Sequence, residues 1–182
     1  MARLVDALAQ GGADSADGGA TAAIELVLPG TYRLRMTGNG STTGNYAFRL
    51  LDLASATAIT PGTAVSGTLN PANSSQLYRF DVTAGERFYF DRSANAGGDT
   101  YWRLLDPYGR PVWGPSGIGG DIDVTTLAYS GSYTLLVEGR YYVGGSASYS
   151  FNVLRVSDDT AALTLNTPTS GAIATPGQRD IY

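Results

Sequence analysis

The sequence predicts an all-β protein, a jelly-roll-like antiparallel β-sandwich in which one complete unit is flanked by partial units of a tandem repeat. Three observations support this fold class. The 182 residues include 24 Gly and 12 Tyr but only 15% charged residues, a composition typical of β proteins with many turns. Apolar and polar residues alternate in short segments separated by turn residues. Several sequence blocks also occur twice, in the same order.

The repeated blocks lie 101 to 104 residues apart. They pair Gly30-Thr-Tyr-Arg-Leu34 with Gly131-Ser-Tyr-Thr-Leu135, Tyr46-Ala-Phe-Arg-Leu-Leu-Asp-Leu53 with Tyr149-Ser-Phe-Asn-Val-Leu-Arg-Val156, and Ser66-Gly-Thr-Leu69 before Tyr78 with Ser170-Gly-Ala-Ile173 before Tyr182. A period near 103 residues is much longer than the 20 to 50 residues, roughly, of a solenoid repeat. Each unit is therefore expected to be a whole domain of a tandem array.

The phase of this repeat divides the chain into four segments. Residues 1–20 are expected to be a flexible lead-in or linker, since the second half of this segment is small, acidic and without an apolar face. Residues 21–57 match the C-terminal part of a preceding unit, residues 65–156 form the complete unit, and residues 165–182 match the first strand or strands of the following one. We expect this last segment to pair with the leading piece, in the same or a neighbouring molecule, or to be poorly ordered.

Within the complete unit, the alternation of apolar residues predicts the strands in order. They cover Gln76–Val82 and its hairpin partner Arg87–Asp91, Thr100–Leu105, Arg110–Trp113, a short strand within 121–128, Gly131–Glu138 and Tyr149–Val156. Asp106-Pro-Tyr-Gly109 has proline at the second position and glycine at the fourth, as a type I turn prefers. Residues predicted to fill the space between the two sheets are Phe80, Phe88, Phe90, Leu104, Tyr133, Leu135, Phe151 and Val153.

Three segments of the complete unit resemble the bacterial pre-peptidase C-terminal domain. They are Tyr78-Arg-Phe-Asp-Val-Thr-Ala-Gly-Glu86, Arg103-Leu-Leu-Asp-Pro-Tyr-Gly109 and Tyr129-Ser-Gly-Ser-Tyr-Thr-Leu-Leu-Val137. Their order matches the family pattern of an aromatic strand closing on glycine, a strand ending in Asp-Pro-x-Gly, and a late Gly-x-Tyr strand. The resemblance implies a jelly-roll-like sandwich, found beside secreted peptidases and in exported surface proteins, that is usually non-catalytic.

Composition excludes several kinds of chemistry. The chain contains no His, no Cys and no Lys, so all of its cationic side chains are Arg. A histidine base, a cysteine nucleophile, a lysine Schiff base and a Walker phosphate loop are therefore ruled out, and we expect no catalytic residues and no enzyme activity. The net charge of -4 disfavours a nucleic-acid partner. No apolar run approaches the roughly 18 to 20 residues that cross a bilayer, so membrane insertion is not expected.

Calcium is the candidate cofactor, because carboxylate oxygens suit this hard cation. Asp99 follows two glycines, and Asp121 and Asp123 follow two more, so adjacent loops can bring the three carboxylates together. The spacing is not that of an EF-hand, and the resemblance to a calcium-binding nonapeptide occurs only once. The alternative is that these Asp and Gly residues serve tight turns.

An aromatic ligand platform is the second candidate site. Trp113 lies in a predicted hairpin rich in aromatic residues, while Tyr141 and Tyr142 lie in the loop between the last two strands. Exposed rings offer a large contact area at small cost in side-chain entropy, as in modules that bind extracellular polysaccharide or protein. Tyr101 and Trp102 must face opposite sides of their strand, so one of them is expected in the core.

These expectations define a function. The sequence predicts a non-catalytic, extracellular or cell-surface structural or adhesive module of a large exported bacterial protein, whose partners are the neighbouring repeat units. The alternative is a carbohydrate- or protein-binding accessory domain of a secreted peptidase or another hydrolase. A spacer predicts no exposed aromatic platform, whereas a binding module predicts that Tyr141, Tyr142 or Trp113 are exposed together.

Overall fold

The computed structural model describes residues 2–5, 24–26, 30–33, 35, 40–41, 43–45, 51–140 and 142–182. Its strands are β1 (Ala2–Val5), β2 (Ile24–Leu26), β3 (Leu51–Asp52), β4 (Thr57–Ala58), β5 (Val65–Leu69), β6 (Ser75–Val82), β7 (Arg87–Ala96), β8 (Thr100–Leu105), β9 (Pro111–Gly117), β10 (Ile122–Thr126), β11 (Gly131–Gly139), β12 (Ala147–Val156), β13 (Asp159–Thr160) and β14 (Asp180–Ile181). A short 3-10 helix, Leu53–Ser55, connects β3 to β4. No helix in these ranges is long and apolar enough to span a membrane.

Strands β5 to β12 form a two-sheet sandwich. One sheet has the order β10-β7-β12-β5, and the other has β6-β11-β8-β9 with β4 added at its edge. Because successive strands pass repeatedly from one sheet to the other, these two orders are those of an eight-stranded jelly roll. The predicted all-β, jelly-roll-like sandwich is therefore confirmed, whereas the flanking partial units of a tandem repeat stay a prediction.

Aromatic side chains from both sheets fill the space between them. Every residue predicted for the core is buried in one cluster: Phe80, Phe88, Phe90, Leu104, Tyr133, Leu135, Phe151 and Val153. The ring of Phe80 packs 5.3 Å from Phe88 of the opposite sheet, and that of Trp102 packs 6.2 Å from Phe151, centroid to centroid. Tilted and edge-on pairs of this kind add about 0.5 to 1.5 kcal/mol each beyond their buried area.

A second, smaller apolar cluster covers the outer face of the five-stranded sheet. Leu53 and Ala56, on the segment that enters the sandwich, pack there on Leu77, Leu105 and Leu136. This packing explains why strand β8 is buried on both faces, since its residues face the core on one side and the entering segment on the other. The entering chain is thus part of the folded unit.

The chain enters the sandwich at one end and leaves it at the opposite end. We call the end formed by loops 70–74, 97–99 and 140–146 the entry end, and the end formed by loops 83–86, 106–110 and 127–130 the exit end. Strand β4 runs parallel to β6, which leads from the entry end to the exit end. The last strand, β12, also finishes at the exit end, where Val156 pairs with Arg87.

Two expectations about the flanking segments need correction. Residues 2–5 of the expected flexible lead-in form β1, because their short apolar run finds strand partners: Leu4 pairs with Ile24, and Val5 with Leu51. Residues 6–20 lie outside the described residues. In the C-terminal segment, β14 pairs in parallel with β13, immediately after the sandwich, and not with a described residue of the leading piece.

One pair of hydroxyl groups links the two sheets beside the edge strand β5. The Tyr78 and Tyr149 hydroxyls are 2.7 Å apart and buried. Burial, followed by this hydrogen bond, raises the pKa of Tyr149 far above its ordinary value of 10.0. The Tyr149 ring lies against Gly67, its register partner, so closely that a Cβ at position 67 would overlap the phenol. Glycine is therefore required at this position of β5.

We predict that the two tyrosines are energetically coupled. Tyr78→Phe or Tyr149→Phe should each lower the free energy of unfolding by about 1 to 2 kcal/mol, because a buried hydroxyl loses its partner. The double variant should lose less than the sum, as measured by chemical denaturation. Tyr78→Phe combined with Tyr89→Phe serves as the control, and its two effects should add.

The same pair makes stability sensitive to alkali. Folding raises the pKa of both phenols above the ordinary value of 10.0. The stability that the hydroxyl pair contributes is therefore present below pH 10.0 and is lost as the pH rises above that value. The free energy of unfolding of the double Phe variant should fall less at alkaline pH than that of the parent chain. Equal losses in the two proteins would contradict the assignment.

Candidate functional site

The structure does not bring the three predicted calcium ligands together. Asp99 lies at the entry end, where its carboxylate accepts a hydrogen bond from the Tyr142 hydroxyl. Asp121 lies beside β7, and Asp123 accepts a hydrogen bond from the Val124 N–H. Among the residues that the structure describes, no three acidic side chains are placed to hold a metal ion. Calcium binding at any one of these carboxylates stays a prediction.

Asp121 anchors the loop before β10 to the neighbouring strand. Its carboxylate accepts hydrogen bonds from the Tyr89 hydroxyl at 2.7 Å and from the Arg92 N–H at 2.9 Å. The Arg92 side chain donates in turn to the Gly119 carbonyl at 2.9 Å. The hydrogen bond to Asp121, with burial second, raises the pKa of Tyr89 to about 12. The same hydrogen bond lowers the pKa of Asp121. The phenol is therefore held in its protonated form and the carboxylate in its ionised form, the two forms that make this hydrogen bond.

The predicted aromatic platform is not formed as a unit. Trp113 is half-buried, and its ring packs edge-on at 5.0 Å from Phe90 and 5.6 Å from Trp102, so it belongs to the core. Tyr142 is 63% exposed at the entry end. Tyr141 lies outside the described residues. Trp102 is buried while Tyr101 faces outward, as the alternation predicted.

Tyr142 belongs instead to a mixed aromatic and charged cluster, which we call the entry cluster: Asp99, Tyr101, Arg140 and Tyr142. The Arg140 guanidinium lies 3.5 Å from the centre of the Tyr101 ring, a cation–π contact. The hydrogen bond to Asp99 raises the pKa of Tyr142. This cluster sits on two loops that meet because β8 and β11 are neighbours in the sheet.

A second aromatic and guanidinium surface lies at the exit end and was not predicted from the sequence. We call it the exit patch: Tyr108, Arg110 and Tyr129. The Arg110 guanidinium lies 4.9 Å from the centre of the Tyr108 ring and 5.0 Å from that of Tyr129. The two rings are perpendicular, 5.3 Å apart, and 56% and 41% exposed. The signal in the sequence was one tyrosine in each of two turns, after β8 and before β11.

Hydrogen bonds to buried residues hold the two turns that carry the exit patch. Asp106 is buried and accepts hydrogen bonds from the Tyr108 and Arg110 N–H groups and from the Arg110 guanidinium, at 2.8 to 2.9 Å. Burial alone would raise the pKa of Asp106, but these hydrogen bonds outweigh it and lower the pKa. The Tyr129 N–H donates to the Tyr133 hydroxyl at 3.1 Å. The backbone at both tyrosines is thus held by hydrogen bonds, while the rings pack on each other and on the Arg110 guanidinium.

Local sequence explains how the two turns approach each other. The Asp106 carbonyl accepts from the Gly109 N–H at 2.9 Å, which confirms the predicted turn. Gly131 has φ of 137°, in the region that favours glycine, and a Cβ there would press on the Pro107 ring. The chain can therefore bring the start of β11 against the turn that follows β8.

The segment after the sandwich is fastened to the exit end by a clamp around Arg87. This guanidinium forms an ion pair with Asp158 at 2.6 Å and donates to the Gly177 carbonyl at 2.9 Å. Asp158 also accepts from the Arg179 N–H at 3.0 Å. The contact with Arg87, the largest cause, lowers the pKa of Asp158. Gly177 lies so close to Val124 of β10 that a Cβ there would overlap its side chain.

A shallow groove follows the outer face of the four-stranded sheet. It has a volume of about 470 Å³ and is lined by Ser66, Gly67, Thr68, Ala94, Ser148, Tyr149 and Ser150. Hydroxyl groups therefore dominate its polar lining. This surface can accept and donate hydrogen bonds, but the described part of the chain places no charged side chain among its lining residues.

Comparison with known proteins gives low-identity structural matches only. No protein family model matches the chain, and no curated protein matches it. Solved structures similar to 54% of this chain are the periplasmic g-type lysozyme inhibitor PliG of Aeromonas hydrophila (14% identity, 95% of that chain, TM-score 0.40), the pre-peptidase C-terminal domain of a Bacillus anthracis collagenase (22%, 93%, 0.41) and PliG of Salmonella Typhimurium (18%, 96%, 0.40). Membership of the pre-peptidase C-terminal family stays a prediction.

Asp121→Asn should lower the pKa of Tyr89 from about 12 toward 10.0, because the phenol loses its carboxylate acceptor. Tyrosine-selective NMR titration measures this change. Asp91→Asn, which removes only a weaker charge, is the control and should produce a smaller shift. A pKa of Tyr89 that falls when calcium chloride is added to the parent chain would indicate metal binding at Asp121.

Trp113→Phe should lower the free energy of unfolding less than Trp113→Ala, because phenylalanine keeps an aromatic ring against Phe90 and Trp102. The alanine variant should lose about 3 kcal/mol, the lower end of the range for buried aromatic residues, since Trp113 is half-buried. The indole N–H of Trp113 is buried without an acceptor among the described residues, so phenylalanine loses no hydrogen bond. Thermal and chemical denaturation measure both variants, and a Phe variant as destabilised as the Ala variant would contradict the packing of this ring in the core.

Proposed function

We propose that this chain is a non-catalytic structural module of a tandem array, whose sandwich units follow one another head to tail in an exported bacterial protein at the cell surface or outside the cell. The observation that supports this most is a repeated piece of architecture. Thr57 of β4 pairs in parallel with Tyr78, and Asp159 of β13 pairs in parallel with Asp180. Both pairs span 21 residues, and they lie 102 residues apart, within the range of the sequence repeat.

The hydrogen bonds of the two parallel pairs also correspond. The Ile59 N–H donates to the Arg79 carbonyl, and the Ala161 N–H donates to the Ile181 carbonyl, each at 2.9 Å. Parallel strands need a crossover of about a dozen or more residues, and both bridges close over the same separation of 21 residues. Its recurrence supports the interpretation of the C-terminal segment as the start of a following unit.

A close contact between a glycine and a tyrosine hydroxyl recurs as well. Gly67 lies against the Tyr149 hydroxyl, which is bonded to Tyr78, and Gly171 lies against the Tyr182 hydroxyl. Tyr78 and Tyr182 each follow the corresponding glycine by 11 residues. The hydroxyl beside Gly67 is that of Tyr149, whereas the one beside Gly171 is that of Tyr182, the counterpart of Tyr78, so the two places share a glycine next to a tyrosine hydroxyl but not the same tyrosine.

The connection between the units is short and tied down. Only two residues separate β12 from β13, and one of them, Asp158, is held by Arg87. Within the C-terminal segment, the Gln178 side chain donates hydrogen bonds to the carboxylates of Asp159 and Asp180, at 2.9 and 3.2 Å, and so links β13 to β14. A flexible glycine- or serine-rich linker would allow free rotation, whereas this connection favours a semi-rigid spacer.

The alternative function, a carbohydrate- or protein-binding accessory domain, has its own support. The groove beside β5 is lined by hydroxyl groups, and Tyr142 is exposed at the entry end. These features fit a neutral hydrogen-bonding ligand such as a polysaccharide. Tyr142 is not among the residues that line the groove, however, so the two features do not form one lined site. We therefore rank this function second.

A duplicated chain tests the tandem proposal. Residues 1–160 are followed directly by residues 59–182, so that β13 takes the position of β4 in a second complete unit. Small-angle X-ray scattering should show a maximum dimension larger than that of the parent chain by about 30 to 40 Å, the length of one sandwich of ten-residue strands.

The control for this measurement is a duplicated chain with a twelve-residue Gly-Ser linker inserted after Ser157, which should give a broader distribution of distances. Calorimetry and hydrogen exchange show whether the second unit folds. A folded second unit lying side by side with the first, or a second unit that does not fold, would overturn the tandem proposal.

A further inference from the structure

The exit patch has the character of an interaction surface. Its two tyrosines and one arginine are the residue types that most often dominate binding energy at protein interfaces. They are exposed, yet Asp106 and Tyr133 fix their positions. Neither the core nor the parallel bridges use these rings, so their arrangement is not explained by the fold of the unit alone.

The C-terminal segment contacts the sandwich at the exit end, where the exit patch also lies. Its loop 174–179 reaches Arg87 through the Gly177 carbonyl and touches Val124. Strand β10, which contains Val124, continues at once into the loop that carries Tyr129. Arg87 pairs with Thr126, and the Gly85 N–H donates to the Leu127 carbonyl at 2.8 Å. The exit patch is therefore continuous with a surface that the next segment already occupies.

The complete unit shows what accompanies that loop in a finished sandwich. Loop 174–179 has the chain position of loop 70–74, which connects β5 to β6. In the complete unit, loop 70–74 is bonded to the loop between β11 and β12: the Ala72 N–H donates to the Gly145 carbonyl at 2.8 Å, and the Gly139 N–H donates to the Ser74 carbonyl at 2.9 Å. Gly139 also lies against the Ala72 carbonyl, where no Cβ would fit.

We propose that the exit patch docks the entry cluster of the following unit, so that Tyr108, Arg110 and Tyr129 of one unit contact Asp99, Arg140 and Tyr142 of the next. This inference rests on the proposed tandem function and names the surfaces that join its units. The partner is a second unit of the same kind, presented by its entry end.

The chemistry of the two surfaces is complementary. The exit patch offers two phenol rings and the N–H groups of a guanidinium that is stacked on both. The entry cluster offers the Asp99 carboxylate, the Tyr142 phenol and the Arg140 guanidinium. Arginine stacking on tyrosine and a carboxylate facing Arg110 are contacts that each side can provide to the other. Both surfaces are already ordered, which reduces the entropic cost of docking.

The absence of cysteine from the chain allows a clean cross-linking test. In the duplicated chain, Tyr129→Cys is placed in the first complete unit and Tyr142→Cys in the second, and a short bismaleimide is added. Cross-linking should be on the order of tenfold or more greater than in the matched control, because docked residues have a high effective concentration. The control exchanges the two substitutions between the units, which moves both cysteines to the far ends.

Peptide mapping identifies the linked residues, and the monomer mass separates links within one chain from links between chains. A second pair, Arg110→Cys with Arg140→Cys, guards against a local effect of either substitution. If scattering shows two folded units in an elongated chain but neither pair cross-links above its control, the docking inference is wrong and the tandem function stands. If the second unit fails to fold, or the exchanged control cross-links best, the head-to-tail function itself is wrong.

Discussion

The structure depends on the interlocking of aromatic rings from two sheets that face each other across one core. Phe88, Phe90 and Phe151 project from the four-stranded sheet, while Phe80 and Trp102 project from the other, and the rings alternate across the gap. Without disulfides or a described metal centre, burial of this layer must stabilise the fold. The jelly-roll order follows from the same constraint, because each strand must place its apolar face toward this single layer.

The same layer explains where polar chemistry is found. Side chains that face the core are mostly apolar, and the buried hydroxyls of Tyr78 and Tyr149 are paired with each other, so the charged groups lie on the outer faces and at the ends. One ion pair on the outer face of the five-stranded sheet is itself buried: Arg103 and Glu138, 2.8 Å apart. Such a pair contributes little net stability, but breaking it is costly, and it fixes how the outer layer can pack.

Sequence reasoning predicted the fold class, seven strands of the complete unit and eight core residues, since period-two alternation and turn residues are local signals. Strand β5 was not listed among the predicted strands, because Gly67 weakens its alternation and is required only by the Tyr149 ring across the sheet. Trp113 was assigned to a platform because a sequence does not show which face of an edge strand is covered. The exit patch was missed for a related reason: Tyr108 and Tyr129 are 21 residues apart, and only the pairing of β8 with β11 brings their turns together.

The arrangement of chain entry and exit gives the unit its mechanical character. Segment 53–58 enters along the outer face of one sheet, and β12 leaves at the opposite end of the other, so a force applied along the chain acts along the strands of both sheets. Pulling in this direction shears the hydrogen bonds between neighbouring strands together, whereas pulling across a sheet would break them one at a time. The Arg87 clamp and the two-residue connection then pass the load directly to the next segment. In the proposed tandem array, strands loaded in shear and a short, bonded connection would together resist lengthening under load.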